Sequence, residues 1–394
     1  MEMETHLSLG LCCIALEGYS AGATRKAFER ACELSVQLRE PRKEFQAIFG
    51  QWGHFWMRAQ HDRAIELGKT LLAKAKVLQD VTSEMLAHRC LGSTLFTHGQ
   101  FVQARDHLER ALALGNEVAG AGSLSSNYAV HPAIAAQLML AWDLWILGYP
   151  GLARGSVLQA LDQAVQRAHP YTLAFAHYVT SAVHLLRGEF QQSLDHATRS
   201  LEISNEHQIS LYALYSRFGQ GCALAKLGDP EHAILNIREA IEEANRSELG
   251  YMRGFMLGGF ATVQAETGDA ESAIATLDEA LKQVGEVAGR AWEAELRRLR
   301  GDIVLLARPD ATHEAEQSLH DAVAVARKQC ARSLELRASC SLARLCQKQG
   351  RDEEARAQLA AIFGWFTEGH DTADLVEARK LLGSVMLDLS QRSG

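Results

Sequence analysis

Small and large apolar residues repeat along this chain at an interval of 40 residues, each time after a glycine-aspartate pair. The pairs lie in the sequences LGDP at residues 227–230 and TGDA at residues 267–270. The apolar positions that follow are Ala233, Ile237 and Ala240 in the first copy and Ala273, Leu277 and Ala280 in the second. Because glycine commonly ends a helix and aspartate begins one, each copy predicts a helix, a turn and a second helix. Neither helix buries its apolar face alone, so the period predicts a solenoid of stacked helix pairs.

Two series of small residues keep this spacing through most of the chain. The first marks the start of the second helix in each pair: Ala64, Ala104, Ala153, Ser193, Ala233, Ala273, Ala315 and Ala355. The second lies seven residues later: Ala111, Ala160, Ser200, Ala240, Ala280, Ala322 and Ile362. We therefore predict an all-α fold over residues 1–394, with about nine helix pairs wound into a right-handed superhelix, a less regular first pair and no strands.

Two segments depart from the repeat. The longest step in the first series, 49 residues, contains the glycine- and serine-rich sequence GAGSLSS at residues 120–126. This composition predicts an inserted, exposed loop over residues 115–131. The final helix, over residues 371–390, has no helix after it and is expected to cap the open end of the solenoid.

Composition and charge argue against several function classes. The chain has 394 residues and a net charge of -8, with no concentrated basic face, so nucleic-acid binding is not expected. No apolar run is long enough to span a membrane, and Glu2 and Glu4 stand where a signal peptide requires positive charge. The eight cysteines form no CxxC pair and follow helical patterns, which favours a reducing compartment. We expect a soluble, cytoplasmic protein with no membrane partner.

Three short motifs suggest chemistry, but each has a simpler interpretation. Ser20 lies in a G-x-S-x-G motif, yet a helix precedes it where a hydrolase requires a strand, which favours a turn between helices. The sequence GKT at residues 68–70 resembles the end of a phosphate loop, but Arg63 stands where that loop needs glycine. His177 and His184 share a helical face, whereas a metal site needs three or four donors. We therefore expect no catalytic site, no cofactor and no metal, and a protein that is not an enzyme.

The repeat positions resemble those of the tetratricopeptide repeat. The matching small and large residues are Gly221, Leu224, Gly228, Ala233, Ile237 and Ala240 in one pair, and Gly92, Gly99, Ala104, Leu108 and Ala111 in another. The period of 40 residues departs from the period of about 34 that is usual in this family. The longer helices resemble the tetratricopeptide region of large ATP-dependent activators of the maltose-regulon type.

Four further stretches carry a closer resemblance. They are WDLWILGYP at residues 142–150, WEAEL at 292–296, SLELRA at 333–338 and FGWFTEGHDTADL at 363–375. They are similar to the C-terminal repeat region of bacterial proteins that join an adenylate/guanylate cyclase domain to a predicted signalling ATPase. The resemblance implies a sensor or scaffold arm with an ATPase or cyclase domain as a possible partner. The catalytic domains of that family would precede residue 1, so the chain is either a stand-alone relative or a piece of a longer protein.

The concave side of the array is the candidate binding surface, because the first helix of each pair lines that side in tetratricopeptide proteins. Counting back from the turns places seven aromatic residues along it, and two charged residues follow next; the nine candidates are Trp142, Trp145, Phe175, Tyr178, Tyr215, Phe218, Phe255, Glu295 and Arg298. A groove of rigid aromatic side chains suits an extended or helical peptide, and Trp145 and Tyr215 are expected to contribute most. Alternatively, the same aromatic residues fill contacts between neighbouring first helices. Two functions remain open: a scaffold that binds a protein or peptide, and a regulatory arm for an ATPase or cyclase domain.

Overall fold

Helices account for the regular structure throughout the computed structural model, which describes residues 1–121, 129–284 and 289–392. Within these residues there are nineteen helices and no strand. Their bounds are α1 (Glu2–Glu17), α2 (Gly22–Gln37), α3 (Pro41–Met57), α4 (His61–Leu78), α5 (Val81–Thr97), α6 (Phe101–Ala121), α7 (Pro132–Ile146), α8 (Pro150–Arg167), α9 (Pro170–Arg187), α10 (Phe190–Glu206), α11 (Ser210–Lys226), α12 (Pro230–Arg246), α13 (Arg253–Glu266), α14 (Ala270–Gln283), α15 (Glu293–Ala307), α16 (Thr312–Lys328), α17 (Arg332–Lys348), α18 (Asp352–Phe363) and α19 (Ala373–Arg392).

Consecutive helices form antiparallel pairs, from α1–α2 to α17–α18, and α19 follows the last pair. The all-α solenoid expected from the repeat is confirmed. The helices of a pair approach closely because glycine and alanine face each other at the crossing. A Cβ atom added to Gly221 would lie 2.6 Å from Ile237 and 2.9 Å from the carbonyl oxygen of Ala233. The regular spacing of small residues along the chain therefore indicates a close helix contact.

The glycine-aspartate pairs form the turns inside the units. Gly228 and Gly268 have φ angles of 92° and 90°, in the left-handed region that glycine adopts without strain. The next residue then begins the second helix: Asp229 accepts a hydrogen bond from the main-chain nitrogen of His232, and Asp269 accepts one from Ser272. These contacts satisfy one unpaired N–H group at each helix start.

The segment expected to be an inserted loop is in part helical. Helix α6 continues to Ala121, so it includes the first residues of the 115–131 segment; residues 122–128 lie outside the described structure. Gly115 does not end the helix because it is a packing position: a Cβ atom added there would lie 2.8 Å from the side chain of Ala133. At the other end of the chain, α19 covers Ala373–Arg392, close to the expected 371–390.

The superhelix closes on itself after five pairs. Met57, Thr97 and Trp145 lie at the C-terminal ends of α3, α5 and α7, where carbonyl oxygens lack partners within the helix. The oxygens of Met57 and Thr97 accept hydrogen bonds from the main-chain nitrogens of Tyr251 and Ala291, which lie just before α13 and α15. The oxygen of Trp145 accepts one from the hydroxyl group of Ser333, in α17. In each case the donor lies at the helix that follows ten positions later in the chain. The concave side of the array is therefore enclosed rather than open along its length.

The close approach of these segments requires glycine. A Cβ atom added to Gly250 would lie 2.9 Å from the carbonyl oxygen of Arg58, and one added to Gly289 would lie 2.3 Å from that of Thr97. Any larger residue at these two positions would separate the successive turns of the superhelix.

Candidate functional site

The aromatic candidates lie inside the closed superhelix, and most of them are buried. Trp142 is 0% exposed and Tyr215 is 2% exposed. The other buried members are Trp145, Phe175, Tyr178 and Phe218. Phe255, Glu295 and Arg298 are partly exposed. The structure thus places most of the candidates in an interior where neighbouring parts of the superhelix cover them.

Trp142 is the centre of this interior. Its ring lies 6.0 Å from that of Tyr178 on one side, and 6.1 Å and 6.3 Å from those of Phe255 and Trp292 on the other. These two groups of aromatic residues border two different cavities. Four of the nine candidates border the first cavity and three border the second, whereas Trp142 and Trp145 border neither, so the candidates do not form one continuous groove.

The first site, called the Phe255 cavity here, has a volume of about 400 Å³ and is bordered by Phe218, Phe255, Trp292, Glu295, Arg298 and Arg337. The Phe255 ring lies 4.5 Å from that of Trp292 and 5.5 Å from that of Phe218. Glycines 254, 258 and 259 also border the cavity. Their missing side chains leave the aromatic surface accessible from the interior space.

A network of ion pairs forms one wall of the Phe255 cavity. Arg298 contacts Glu295 at 2.8 Å and Asp302 at 2.6 Å. Arg337 contacts Asp374 at 2.9 Å and Glu295 at 3.4 Å. Burial raises the pKa of Glu295, but the positive charges of Arg298 and Arg337 outweigh that effect and hold the pKa at about 2. The carboxylate is therefore charged at neutral pH, and its position is fixed by two guanidinium groups.

Arg337 also joins separate parts of the superhelix. Its guanidinium group lies 4.7 Å from the ring centre of Trp145 and donates a hydrogen bond to the carbonyl oxygen of Leu186, at the C-terminal end of α9. A ligand that displaced this side chain would disturb the contact between α9 and α17. Arg337 thus borders the cavity and contacts the C-terminal end of α9 at the same time.

The second site, called the aromatic chamber here, lies on the Tyr178 side of Trp142. Its wall contains Trp52, Trp56, Arg89, Phe175, Tyr178, Tyr212, Tyr215 and Tyr251. Its volume is about 50 Å³, and it shares Tyr19 and Phe49 with a neighbouring cavity of about 790 Å³. Three sequence-derived candidates, Phe175, Tyr178 and Tyr215, belong to this site.

Several residues of both cavities were not among the candidates. Trp292 lies in the WEAEL stretch and Arg337 in the SLELRA stretch, so the family resemblance of these stretches could have identified both residues as candidates. Trp52 and Trp56 are four residues apart on α3, a spacing that places both on one helix face. Nothing in the local sequence pattern distinguishes Arg89. The sequence does not show that aromatic rings face this side chain, or that no carboxylate lies beside it.

The short chemical motifs have structural surroundings. The hydroxyl group of Ser20 donates a hydrogen bond of 2.6 Å to the carbonyl oxygen of Ser247, which joins the first turn to the segment after α12. Gly68 packs against Leu91, since an added Cβ atom would lie 2.8 Å from that side chain. His177 pairs with His196 at 3.0 Å, and burial lowers the pKa of His177 to about 4. Among the described residues, no three histidine, cysteine or acidic side chains are grouped as metal ligands.

Among the described residues, no helix is both long enough and apolar enough to cross a membrane. All eight cysteines are free thiols.

Comparison with known proteins identifies the fold. No protein-family model matches the sequence, and no curated protein matches it. A Rap protein complexed with competence and sporulation factor has a similar structure, with a TM-score of 0.59 and 12% identity over 98% of this chain and 99% of that chain. NprR in complex with its cognate peptide NprX has a TM-score of 0.59 and 10% identity over 92% of this chain and 99% of that chain.

The apo form of the quorum sensor NprR from B. thuringiensis is also similar, with a TM-score of 0.52 and 13% identity over 92% of this chain and 97% of that chain. At these identities the likeness concerns the fold alone. It supports the coarser part of the sequence resemblance, a tetratricopeptide-like helical array.

Proposed function

We propose that this protein is a non-enzymatic binding module that holds a peptide, or a peptide segment of a partner protein, in the Phe255 cavity. The observation that carries the proposal is the combination of an accessible aromatic surface with a fixed ionic wall in one interior cavity. Phe255 and Trp292 offer apolar area, whereas Glu295 and Arg298 offer polar contacts whose geometry is already fixed. A preorganised surface of this kind binds with little loss of side-chain entropy.

Proteins of similar fold support a peptide as the partner. NprR is described with its cognate peptide NprX, and the Rap conjugation gene regulator of plasmid pLS20 is described with the Phr* peptide, at a TM-score of 0.53. Arg337 gives a route by which binding would change the superhelix, because it contacts both the cavity and the carbonyl oxygen of Leu186. Occupancy of the cavity would then alter the contact between α9 and α17.

A regulatory arm for an ATPase or cyclase domain is the second candidate function. The observation that favours it is the FGWFTEGHDTADL stretch, which carries the closer family resemblance and takes part in closure. In this stretch, Glu368 accepts hydrogen bonds from the main-chain nitrogens of Gly151 and Leu152, and Trp365 contacts Tyr149. A domain that bound this region would act on the same closure as a peptide in the cavity.

The experiment is selection of binding peptides from a random library on the intact protein, followed by measurement of Kd for the wild type and two variants. Phe255→Ala removes the aromatic surface of the cavity and should weaken selected peptides by at least about 1 kcal/mol, roughly five-fold. Phe55→Ala is the matched control, because Phe55 is a partly buried aromatic residue that borders neither cavity. Peptides that bind equally to Phe255→Ala and the wild type, or a selection that yields no binder, would contradict the proposal.

A further inference from the structure

The aromatic chamber contains a positive charge, that of Arg89, for which the described part of the chain supplies no counter-charge. The guanidinium group of Arg89 lies 5.1 Å from the ring centre of Trp52 and 5.3 Å from that of Phe49. Among the described residues, Arg89 makes no ion pair, and its buried Nε atom has no hydrogen-bond partner. Within residues 1–121, 129–284 and 289–392, no aspartate or glutamate borders the chamber. Arg89 as a whole is half-buried, and an anion that joined it in these aromatic surroundings would stabilise its charge.

The contrast with the Phe255 cavity is informative. The three arginines that border that cavity, Arg298, Arg337 and Arg344, each contact at least one carboxylate. The protein therefore supplies carboxylate partners for the arginines of that cavity. Arg89 is held by ring faces instead, an arrangement that leaves its planar N–H groups available for a ligand.

Uncharged donors surround the same space. The indole nitrogen of Trp56 and the hydroxyl group of Tyr215 are buried and have no hydrogen-bond partner. Burial raises the pKa of Tyr19 and raises that of Tyr212 well above its usual range, so both hydroxyls are protonated at neutral pH. The chamber thus contains several donors around one cation, and an acceptor is what such a group requires.

The neighbouring cavity provides room for the rest of a ligand. Its volume is about 790 Å³, and its wall includes the apolar side chains of Phe28, Phe45 and Tyr171. Tyr19 and Phe49 border both spaces, so a molecule could reach from the larger cavity to the chamber. This size lies within the range of about 300 to 1,000 Å³ that is usual for small-molecule sites.

We propose that the aromatic chamber and its neighbouring cavity bind a carboxylate attached to an apolar or aromatic body. The carboxylate pairs with the guanidinium group of Arg89, and the hydroxyls of Tyr19 and Tyr212 add hydrogen bonds. The apolar body occupies the larger cavity. The carboxylate has two possible sources, a free carboxylic acid and the C-terminal end of a peptide. This site is separate from the Phe255 cavity and does not depend on the function proposed for it.

The experiment is isothermal titration calorimetry of the intact protein with two matched pairs of probes. The first pair is 3-phenylpropanoate and 3-phenylpropanamide; the second is the tripeptide alanyl-alanyl-phenylalanine with a free and with an amidated C-terminus. We expect the charged member of at least one pair to bind about ten-fold more tightly than its amide. Preference within the first pair alone identifies a free acid as the ligand class, and preference within the second pair identifies a peptide end.

Two arginine variants locate the interaction. Arg89→Met keeps an unbranched side chain without the charge and should remove the preference for the carboxylate. Arg63→Met is the matched control, because Arg63 also lies over an aromatic ring, that of Phe55, but outside the chamber. It should leave the preference unchanged.

Tyr212→Phe is the second test if Arg89→Met does not fold, since it removes only a hydroxyl group. It should weaken the charged probe about three-fold or more, and its circular dichroism spectrum should match that of the wild type. Equal binding of acid and amide in both pairs, no binding by any probe, or a preference that survives Arg89→Met would overturn the proposal.

Discussion

The hydroxyl group of Ser333 donates a hydrogen bond of 2.5 Å to the carbonyl oxygen of Trp145, across 188 residues of sequence. Both groups are buried. The contact gives a second partner to a carbonyl oxygen at the C-terminal end of α7, which also accepts a hydrogen bond of 3.1 Å from the main-chain nitrogen of Gly148. One side chain of α17 thus completes a helix that lies one superhelical turn earlier.

Replacing this hydroxyl should destabilise the protein. Ser333→Ala removes one of the two hydrogen bonds to the buried carbonyl oxygen of Trp145, which should lower the free energy of unfolding by about 1 kcal/mol. Urea denaturation measures the change. Ser339→Ala is the matched control on the same helix, because the Ser339 hydroxyl is buried and has no hydrogen-bond partner. Equal losses for the two variants would show that closure through Ser333 contributes nothing specific.

Trp145 should behave as a core residue in stability measurements. It is 1% exposed and carries Arg337 on its face. Trp145→Ala should therefore lower the free energy of unfolding by about 3 to 5 kcal/mol, because truncation leaves a cavity. Trp145→Phe retains most of the apolar contact and should lose less. If Trp145→Ala kept the wild-type melting temperature but lost affinity for peptides selected on the wild type, direct binding by this residue would be the better interpretation.

The repeat register can be tested at Ala240, which is 0% exposed where α12 meets its neighbours. Ala240→Trp forces a large ring into a close helix contact and should cost about 1 to 3 kcal/mol of stability. Thermal unfolding followed by circular dichroism measures this cost. Glu242→Trp introduces the same ring at an exposed position of α12 and should leave the melting temperature nearly unchanged. A melting temperature for Ala240→Trp equal to that of the control would be inconsistent with the register.

Asp143 should make stability depend on pH. Its side chain is 0% exposed, and neither carboxylate oxygen has a hydrogen-bond partner in the part of the chain that the structure describes. Burial raises its pKa well above the usual range; Arg105 opposes this rise, and Glu109 adds to it. The folded protein therefore keeps a proton that the unfolded chain releases above about pH 4, so this group lowers stability as pH rises.

Asp143→Asn removes this titration. The melting temperature of the variant minus that of the wild type should become more positive between about pH 5 and about pH 8. Differential scanning calorimetry at several pH values measures the difference. A difference that stays constant over this range would mean that Asp143 has the same pKa in the folded and unfolded states.

The sequence determined the helix pair and its repetition. The spacing of Gly221, Ala233 and Ile237 reports a contact between helices that are adjacent in the chain, and Gly228 and Asp229 set the turn between them. Such contacts depend on nearby residues and recur in each unit, so one sequence contains several copies of the same information. The Gly115 position misled the loop expectation because glycine serves both to end helices and to allow close packing.

Only the tertiary structure decided what the concave side contains. The contacts of Tyr251 with Met57 and of Ser333 with Trp145 depend on small rotations between successive helix pairs. These rotations add up over five pairs, and their total cannot be read from the local sequence pattern. That closure buries Trp142 between two cavities and leaves Arg89 facing aromatic rings without a carboxylate. The sequence could place the candidate aromatic residues on one side of the array, but their division between two sites follows from the superhelical closure.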